Sequence, residues 1–249
     1  MSEKKLDNQF VRETYNKFLS NYDKGYSYHR WFREVISRYH YKQSRRSFLY
    51  ALRDSKYQKA LEIGGGDGEW TKILLDYAES IDFYDISEEM IKQAKARLID
   101  KKNVNFILGD FLENKLADQS YDFVLSFRSF EYFDDQEKFL KEVYQLLKNG
   151  GEMILVTKSP HYDWTKYYQS KKLHSGILPI NDLIALFRKH GFEIELVKPA
   201  ILGKKLSWLG ARFVFDIFHR QNYWFKFNLL PLFLLRYIAE SFIIKVVRK

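Results

Sequence analysis

Glycines and acidic residues alternate in the segment 60–70, which reads ALEIGGGDGEW. Glu62, Gly64, Gly66 and Gly68 form the pattern E-x-G-x-G-x-G directly after a short apolar run. Glycine adds no side-chain packing and loses more entropy on folding than other residues, so such a cluster needs a reason. We infer a ligand that lies against bare main chain at the start of a helix, where free N–H groups bind polar ligands. A tight turn without a ligand is the alternative.

Two aspartates follow at the ends of the next two predicted strands. Asp85 lies 21 residues after Gly64, where a carboxylate can accept hydrogen bonds from both hydroxyls of a ribose. Asp110, in the segment LGDF, is placed where an acceptor can meet an exocyclic amine. Together with the glycines, these carboxylates predict a site for a nucleoside-containing ligand.

The elements that must position these residues alternate in periodicity. Short apolar runs predict strands at 59–64, 80–87, 103–110, 121–127 and 152–157. Helical periodicity predicts helices at 67–78, 87–100 and 134–151, with Ser87 as an N-cap and a glycine stop after the third. A helix–glycine–strand pattern recurs at 180–197. This alternation predicts an α/β fold with a mostly parallel, doubly wound sheet, whose ligands bind at the carboxyl ends of the strands. The last stretch, 240–249, has the alternation of an edge strand.

Over residues 58–200 the sequence resembles class I S-adenosylmethionine-dependent methyltransferases. LEIGGGDGEW is similar to their cofactor loop, FYDIS to their ribose-binding strand end and LGDF to their adenine-side motif. Within the family it most resembles the small-molecule branch, typified by quinone-biosynthesis methyltransferases. The resemblance implies a Rossmann-like, seven-stranded sheet whose last strand is antiparallel. It also implies a helical N-terminal cap at 1–56 and a methyltransferase domain at 57–249, with an aromatic-rich insertion at 204–239 before the last strand.

The resemblance also implies S-adenosyl-L-methionine as the cofactor and assigns residues to it. These are Glu62, Gly64, Gly66, Gly68, Asp85, Ile86, Asp110, Phe111 and, from the helical cap, Tyr22. Asp67 departs from the family pattern and is expected to add negative charge near the carboxylate end of the cofactor. Tyr132 stands where the family frequently has a histidine.

A nicotinamide-dependent Rossmann enzyme is the competing interpretation of the glycines. Its fingerprint, G-x-G-x-x-G, has two residues between the last glycines, whereas one residue separates Gly66 from Gly68. A sulfonium cofactor has no pyrophosphate and does not need the third close approach. The spacing therefore favours methyl transfer.

Catalytic candidates follow the fourth and fifth strands. If the acceptor is a hydroxyl, a base must remove its proton, and the candidates are Glu131, Tyr132, Tyr162 and, foremost, His161. Arg128 could anchor an anionic acceptor, or could instead form an ion pair with Glu131 or Asp134. The histidines show no metal spacing, so no metal is expected.

The distribution of charge along the sequence indicates which kinds of partner the protein could bind. The net charge is +7 over residues 1–56, −8 over 57–157 and +10 over 158–249, so basic flanks surround an acidic middle. Such flanks attract phosphorylated or anionic acceptors, nucleic acid or an anionic membrane. The aromatic and basic insertion at 204–239 fits a lid over the pocket, a peripheral membrane contact with a lipid-like acceptor, or a subunit contact. The oligomeric state stays open.

Two further functions stay open beside a small-molecule methyltransferase. An RNA or tRNA methyltransferase fits the basic flanks, but the segment SFRSF stands where enzymes that methylate base amines carry a Pro-Pro-aromatic motif. A protein that binds the cofactor without catalysis is the other. The first twenty residues hold no apolar run of the signal-peptide kind, so the expected location is cytoplasmic, with a peripheral position at the inner membrane face as an option.

Overall fold

The computed structural model describes residues 8–20, 24–160, 176–203, 209–224, 228 and 230–249. Its strands are β1 (Tyr57–Ile63), β2 (Ala78–Asp85), β3 (Val104–Leu108), β4 (Tyr121–Phe127), β5 (Leu147–Lys158), β6 (Phe192–Leu202) and β7 (Ala239–Arg248). Its α-helices are α1 (Asn8–Ser20), α2 (Val35–Leu52), α3 (Thr71–Leu74), α4 (Glu88–Arg97), α5 (Gln136–Leu146), α6 (Ile180–Lys189), α7 (Leu209–Trp224) and α8 (Leu232–Leu235). A π-helix spans Tyr28–Phe32, and 3₁₀ turns span Phe111–Glu113 and Phe130–Tyr132.

The seven strands form one sheet in the order β3-β2-β1-β4-β5-β7-β6. Strands β1 to β5 pair in parallel, and β7 pairs antiparallel with both β5 and β6. The predicted α/β fold with a mostly parallel, seven-stranded sheet is therefore confirmed. Because strand order reverses between β1 and β4, a crevice opens beside the carboxyl ends of these two strands.

The edge position predicted for 240–249 is wrong, because β7 lies inside the sheet. Phe242, Ile243, Ile244 and Val246 are all buried, so side chains on both faces of the strand enter the core. An apolar run that covers both faces is typical of an interior strand. The edge is formed by β6.

Two predicted helices are shorter than their patterns suggested. The helix predicted at 67–78 is reduced to the four residues of α3, although Trp70, Ile73 and Leu74 are buried as that pattern required. The helix predicted at 134–151 ends at Leu146, because β5 already begins at Leu147 and continues through the two glycines. Local N-caps form as predicted at α4, where the Ser87 hydroxyl accepts a hydrogen bond from the Met90 N–H at 3.2 Å.

Helices cover both faces of the sheet. On one face α2 buries Phe48 and Leu52 against β1 and β4, together with Trp70, whose ring stacks on Phe127 at a centroid distance of 3.8 Å. On the other face α5 and α6 bury their apolar stripes against the same strands. Since α2 forms part of the main core, the helical segment before β1 is packed on the sheet. The boundary at residue 56 stays a prediction.

Candidate functional site

A cleft lies at the carboxyl ends of β1, β2 and β4 and is covered by α1 and the π-helix. Seven of the residues predicted from the sequence line it. They are Gly64, Gly66, Asp85, Ile86, Asp110, Phe111 and Tyr132. Glu62, Gly68 and Glu131 lie outside the lining, and Tyr22, His161 and Tyr162 fall outside the described residues.

The glycine loop is packed mainly against the protein itself. Gly64 has φ +68°, and a Cβ built on it would lie 2.3 Å from the Cβ of Ser129. A Cβ on Gly65 would lie 2.2 Å from the ring of Phe83. Gly66 differs, because its φ is +60° and an added Cβ would meet nothing within 4 Å. The positive φ accounts for Gly66, and the open space beside it leaves room for a ligand, whereas internal packing explains Gly64 and Gly65.

The helix that follows the loop contributes little to the site. Its N-terminus was expected to bind the ligand, but α3 has only four residues, too few to sum a substantial dipole. Gly68 faces α4, where an added Cβ would lie 3.1 Å from Leu98 Cδ1. A helix dipole therefore adds little to the cleft, and strand-end carboxylates such as Asp85 and Asp110 are among its main polar groups.

Asp85 is fixed at the end of β2 by two backbone N–H groups. Gly66 N donates to Oδ2 at 2.9 Å and Ser87 N donates to Oδ1 at 2.8 Å. Burial raises the pKa of this carboxyl to about 6, while these hydrogen bonds oppose the shift. Each carboxylate oxygen keeps a further lone pair, so Asp85 can accept two more hydrogen bonds from the cleft.

Asp110 is satisfied by the protein in a way the sequence did not indicate. Its Oδ1 accepts from the Leu112 N–H at 3.0 Å, which caps the 3₁₀ turn. Its Oδ2 accepts a hydrogen bond from the amide nitrogen of Asn8 in α1. This amide nitrogen occupies the place where an exocyclic amine was expected, and so stands in for one.

Asp67 forms an ion pair within the protein, but it shares its cation with Glu69, so the expectation of added negative charge near a ligand stays a prediction. Arg97 Nη2 donates to Asp67 Oδ2 at 2.7 Å, and Arg97 also pairs with Glu69. Asp67 in addition accepts from the Ser27 hydroxyl at 2.6 Å and the Ser27 N–H at 2.8 Å. The acidic residues of the loop therefore tie it to α4 and to the N-terminal segment.

Glu62 lies beneath the loop and is 1% exposed. Thr71 Oγ1 donates to Oε2 at 2.6 Å, whereas Oε1 is buried without a hydrogen-bond partner. Burial raises the pKa of this carboxyl to about 8, and the charge of Asp85 adds to the shift. A buried orphan oxygen is costly, so this atom is suited to receive a donor from a water beneath the loop.

Three tyrosines from separate elements form the aromatic wall of the cleft, which we call the tyrosine wall. Tyr15 OH donates to Tyr132 OH at 2.5 Å, and the rings of Tyr15 and Tyr26 meet edge to face with centroids 6.1 Å apart. Burial raises the pKa of each phenol, and the charges of Tyr26 and Glu131 raise that of Tyr132 further, while its hydrogen bond with Tyr15 opposes the shift. Tyr132 is therefore neutral at pH 7 and suited to hydrogen bonding rather than to removing a proton.

A buried charge cluster lies under the other end of the cleft. Arg128 Nε donates to Glu131 Oε1 at 2.9 Å, and its Nη1 lies 3.0 and 3.1 Å from the two carboxylate oxygens of Glu240. The second oxygen of Glu131 accepts from Thr157 Oγ1 at 3.2 Å. Because Glu131 is fully buried with both oxygens engaged, this placement does not support its predicted role as a base.

Arg128 lines the cleft, but its guanidinium is committed to those carboxylates. The predicted alternative, an ion pair with Glu131, is present, and Glu240 is a second partner. The residue has φ +64°, a conformation uncommon outside glycine and frequent at functional sites. Its N–H donates to Val156 O at 2.8 Å, which holds this backbone between β4 and β5.

Sequence reasoning missed Asn8, Ser27, Arg30 and Glu240. The first three lie in the N-terminal helices, where no periodic signal separates a cleft-facing residue from a solvated one. The position of Glu240 could have been predicted from the sequence. Because β7 runs antiparallel, its first residues lie beside the carboxyl end of β5, as the pairing of Lys158 with Ser241 shows.

The insertion at 204–239 does not cover the cleft in the part that the structure describes. In α7, His219 is buried against α2 and β6, and the Tyr223 hydroxyl donates to Pro199 O at 2.9 Å. Val214, Ile217 and Trp224 of the same helix are exposed. No described residue of this insertion lines the cleft, so a lid formed by it is not supported.

The described residues hold no group of three or more His, Cys, Asp or Glu side chains arranged to bind a metal ion. Within the same residues, no helix has both the length and the apolar character that crossing a membrane requires.

Comparison with known proteins agrees with this geometry. Residues 61–155 match the family described as "Methyltransferase domain". A malonyl-[acyl-carrier protein] O-methyltransferase of Ilyobacter polytropus is 36% identical over 111 residues, which are 44% of this chain and 41% of that protein. A demethylmenaquinone methyltransferase of Lactococcus lactis is 28% identical over 184 residues, or 70% of this chain and 69% of that one. The match thus spans less than half of the malonyl relative.

Solved structures share the fold. An S-adenosylmethionine-dependent methyltransferase of Thermotoga maritima superposes with a TM-score of 0.66 at 22% identity, over 96% of this chain and all of that one. The N-methyltransferase NodS of Bradyrhizobium japonicum, in complex with S-adenosylhomocysteine, gives a TM-score of 0.64 at 11% identity, over 96% and 98% of the two chains. The resemblance seen in the sequence is confirmed: this chain carries a methyltransferase domain, with the fold of S-adenosylmethionine-dependent methyltransferases.

Proposed function

We propose that this protein transfers the methyl group of S-adenosylmethionine to a small-molecule acceptor. The observation that carries the proposal is the set of two strand-end carboxylates, Asp85 and Asp110, beside a cleft-facing Gly66 in a methyltransferase domain. When bound, S-adenosylmethionine supplies a methyl group that is already activated on a sulfonium. The chain's own residues must then bind, orient and keep water out.

The residues present fit a nucleoside of this kind. Asp85 has two remaining lone pairs for ribose hydroxyls, and Gly66 offers bare backbone next to it. Asp110 already accepts a hydrogen bond from an amide nitrogen, so it has the geometry to accept one from an exocyclic amine. Ile86 and Phe111 provide apolar surface on either side of these carboxylates.

The tyrosine wall would line the side of the cleft where the acceptor enters. Rings of Tyr15, Tyr26 and Tyr132 exclude water there, and positive charge that disperses as a methyl group moves is stabilised by aromatic faces. Neutral phenols position an acceptor by hydrogen bonding. A proton, where the acceptor has one, must leave by another group, and His161 stays the sequence-based candidate for that step.

The relatives supply two acceptor classes by their names. One acts on malonyl-[acyl-carrier protein] and the other on demethylmenaquinone, so an anionic thioester and a lipid-like quinone are both reasonable starting acceptors.

A lipid-like acceptor would fit a peripheral membrane contact through α7, which exposes Val214, Ile217 and Trp224 beside the basic Arg220. Co-sedimentation with anionic vesicles tests this contact, and binding that Trp224→Ala leaves unchanged would speak against it.

The proposed function is tested by binding and by labelling. We expect S-adenosylhomocysteine to bind the purified protein in calorimetry, and label from methyl-tritiated S-adenosylmethionine to pass into an organic-soluble or small polar product of a cell extract. Label recovered in RNA would replace the small-molecule acceptor with nucleic acid. No measurable affinity for S-adenosylhomocysteine would overturn the proposal.

A further inference from the structure

The turn after β4 contains a buried residue in a backbone conformation that few side chains adopt. Arg128 has φ +64°, in the left-handed region that is disfavoured about 5- to 30-fold for residues other than glycine. Among the described residues, Asp54 and Gln119 also have positive φ without being glycine, and both are exposed. The side chain of Arg128 is only 11% exposed. Glycine would avoid the strain, so the arginine side chain must supply contacts that offset it.

The guanidinium of Arg128 supplies these contacts by joining the turn to the last strand. Its Nε donates to Glu131 Oε1 at 2.9 Å, and its Nη1 lies 3.1 and 3.0 Å from the two carboxylate oxygens of Glu240 in β7. The N–H of Ser159, directly after β5, donates to Glu240 O at 2.9 Å, which fixes Glu240 in turn. Charge-assisted hydrogen bonds of this kind are among the stronger contacts in proteins. The turn after β4 is therefore held from β7.

The residue that follows in this turn packs directly against the start of the glycine loop. The Ser129 hydroxyl donates to Ile63 O at 2.7 Å, and a Cβ built on Gly64 would lie 2.3 Å from Ser129 Cβ. The Arg128 N–H donates to Val156 O at 2.8 Å, so the residue is still in register with β5 where the chain turns. A change in the φ of Arg128 would therefore move Ser129 away from Ile63 and Gly64.

We propose that Arg128 is a positioning residue for the nucleoside site. Its ion pairs with Glu131 and Glu240 hold the left-handed turn, and the turn holds the glycine loop in the shape that binds the ligand. This inference rests on the proposed function. The guanidinium acts through the backbone, because its donors are directed at the two carboxylates. Glu240 thereby supports the site from β7 although it does not line the cleft.

Glycine and alanine at position 128 separate the role of the backbone from that of the side chain. Both substitutions remove the guanidinium, but only glycine adopts φ +64° without strain. We expect Arg128→Gly to bind S-adenosylhomocysteine about 5- to 30-fold more tightly than Arg128→Ala in calorimetry, the factor by which the left-handed region is disfavoured. Both variants leave two buried carboxylates without their cation, so a role in stability alone would lower both melting temperatures and give equal affinities.

Gln119 is the matched control for this comparison. It also has positive φ, +49°, but it is exposed and lies outside the cleft. Gln119→Gly and Gln119→Ala should therefore differ in thermal stability and bind S-adenosylhomocysteine with the same affinity. Where the variants at position 128 do not fold, the comparison is repeated with Glu240→Gln added, since this removes the charge of one of the two carboxylates left without a cation.

Glu240→Ala tests the link to β7. Because it removes one partner of the guanidinium, we expect the Kd for S-adenosylhomocysteine to rise about 3- to 10-fold, and Glu240→Gln, which keeps an acceptor oxygen, to recover part of this loss. In the Arg128→Gly background the same substitution should have no further effect, because no guanidinium remains to be held. An equal effect in both backgrounds would show that Glu240 does not act through Arg128.

Equal affinities of Arg128→Gly and Arg128→Ala overturn the inference. If both bind like the wild type, the turn does not control the glycine loop, and if both are weakened alike, the guanidinium itself contacts the ligand. In either outcome a wild type that binds S-adenosylhomocysteine leaves the proposed function standing. A wild type without measurable affinity refutes the proposed function, and this inference with it.

Discussion

Replacing Asp85 with asparagine tests whether this carboxylate binds the ribose of the ligand. Asparagine has the same shape but keeps a single acceptor oxygen, and its amide nitrogen must face either Gly66 N or Ser87 N, which now donate to Asp85 at 2.9 and 2.8 Å. The variant therefore offers the ligand one acceptor oxygen where Asp85 offers two, and the remaining oxygen belongs to a neutral amide. A hydrogen bond to a charged group contributes about 1.5 to 3 kcal/mol.

The magnitude follows from these contacts. Losing one charged hydrogen bond and weakening a second costs about 3 kcal/mol of binding free energy, or about a 150-fold rise in Kd for S-adenosylhomocysteine. Calorimetry at pH 7.5 measures it, and thermal unfolding shows whether the variant is folded. A folded Asp85→Asn protein whose Kd stays within threefold of wild type would refute the reasoning.

Asp82→Asn is the matched control on the same strand. Asp82 is buried and accepts hydrogen bonds from Tyr121 OH at 2.7 Å and from Asn105 at 2.9 Å, away from the cleft. We expect this variant to lose stability while its affinity for S-adenosylhomocysteine is retained. Equal losses of affinity in both variants would indicate a general structural effect rather than a ribose contact.

Three further predictions concern the same site. Asn8→Ala removes an amide that competes with a ligand for Asp110, so we expect S-adenosylhomocysteine to bind about two- to tenfold more tightly in calorimetry. Weaker binding would instead make Asn8 a ligand contact. Burial raises the pKa of the Asp85 carboxyl to about 6, so it is protonated below that pH, and the affinity should fall by about tenfold between pH 8 and pH 5. Arg97→Gln leaves the carboxylates of Asp67 and Glu69 buried without their cation, and should lower the free energy of unfolding by about 3 to 5 kcal/mol in denaturant titration.

The last two of these predictions have matched controls. The pH profile should be flat below pH 7 for Asp85→Asn, whereas Glu62→Gln should leave that limb in place, because the pKa of Glu62 is raised to about 8 and its titration falls at higher pH. For Arg97→Gln, Lys92→Gln on the exposed face of α4 should be neutral within about 0.5 kcal/mol. Equal free energies of unfolding for Arg97→Gln and Lys92→Gln would show that the buried ion pairs of Arg97 do not stabilise the fold.

The sequence predicted the sheet well because each strand is a short apolar run with a clear boundary. It predicted less well where tertiary packing sets the limits of an element. The 67–78 pattern has helical period, yet only Thr71–Leu74 is helical. The last strand alternated like an edge strand, but its partners β5 and β6 cover both sides, and no local pattern reports a neighbour nearly 90 residues away.

The residues of the candidate site likewise fall into those that the sequence predicted and those that it did not. Gly66, Asp85 and Asp110 were found because strand ends and glycine spacing are local signals. Asn8 and Arg30 were not, since whether a residue of a polar helix faces a cleft depends on how the helix docks. Asp67 shows the limit most clearly. Its charge is visible in the sequence, but its ion pair with Arg97, 30 residues later, is visible only in the fold.

The way the glycine loop is packed has a consequence for how this protein would respond to a ligand. With Ser129, Phe83 and α4 filling the space beside its glycines, the loop has almost no room to relax, so its amide protons should exchange with solvent at the same slow rate with or without a nucleoside. Adaptation must then come from α1, which reaches the binding surface through single side chains. The rate at which the nucleoside enters and leaves would thus depend on how often α1 moves away from the rigid glycine loop.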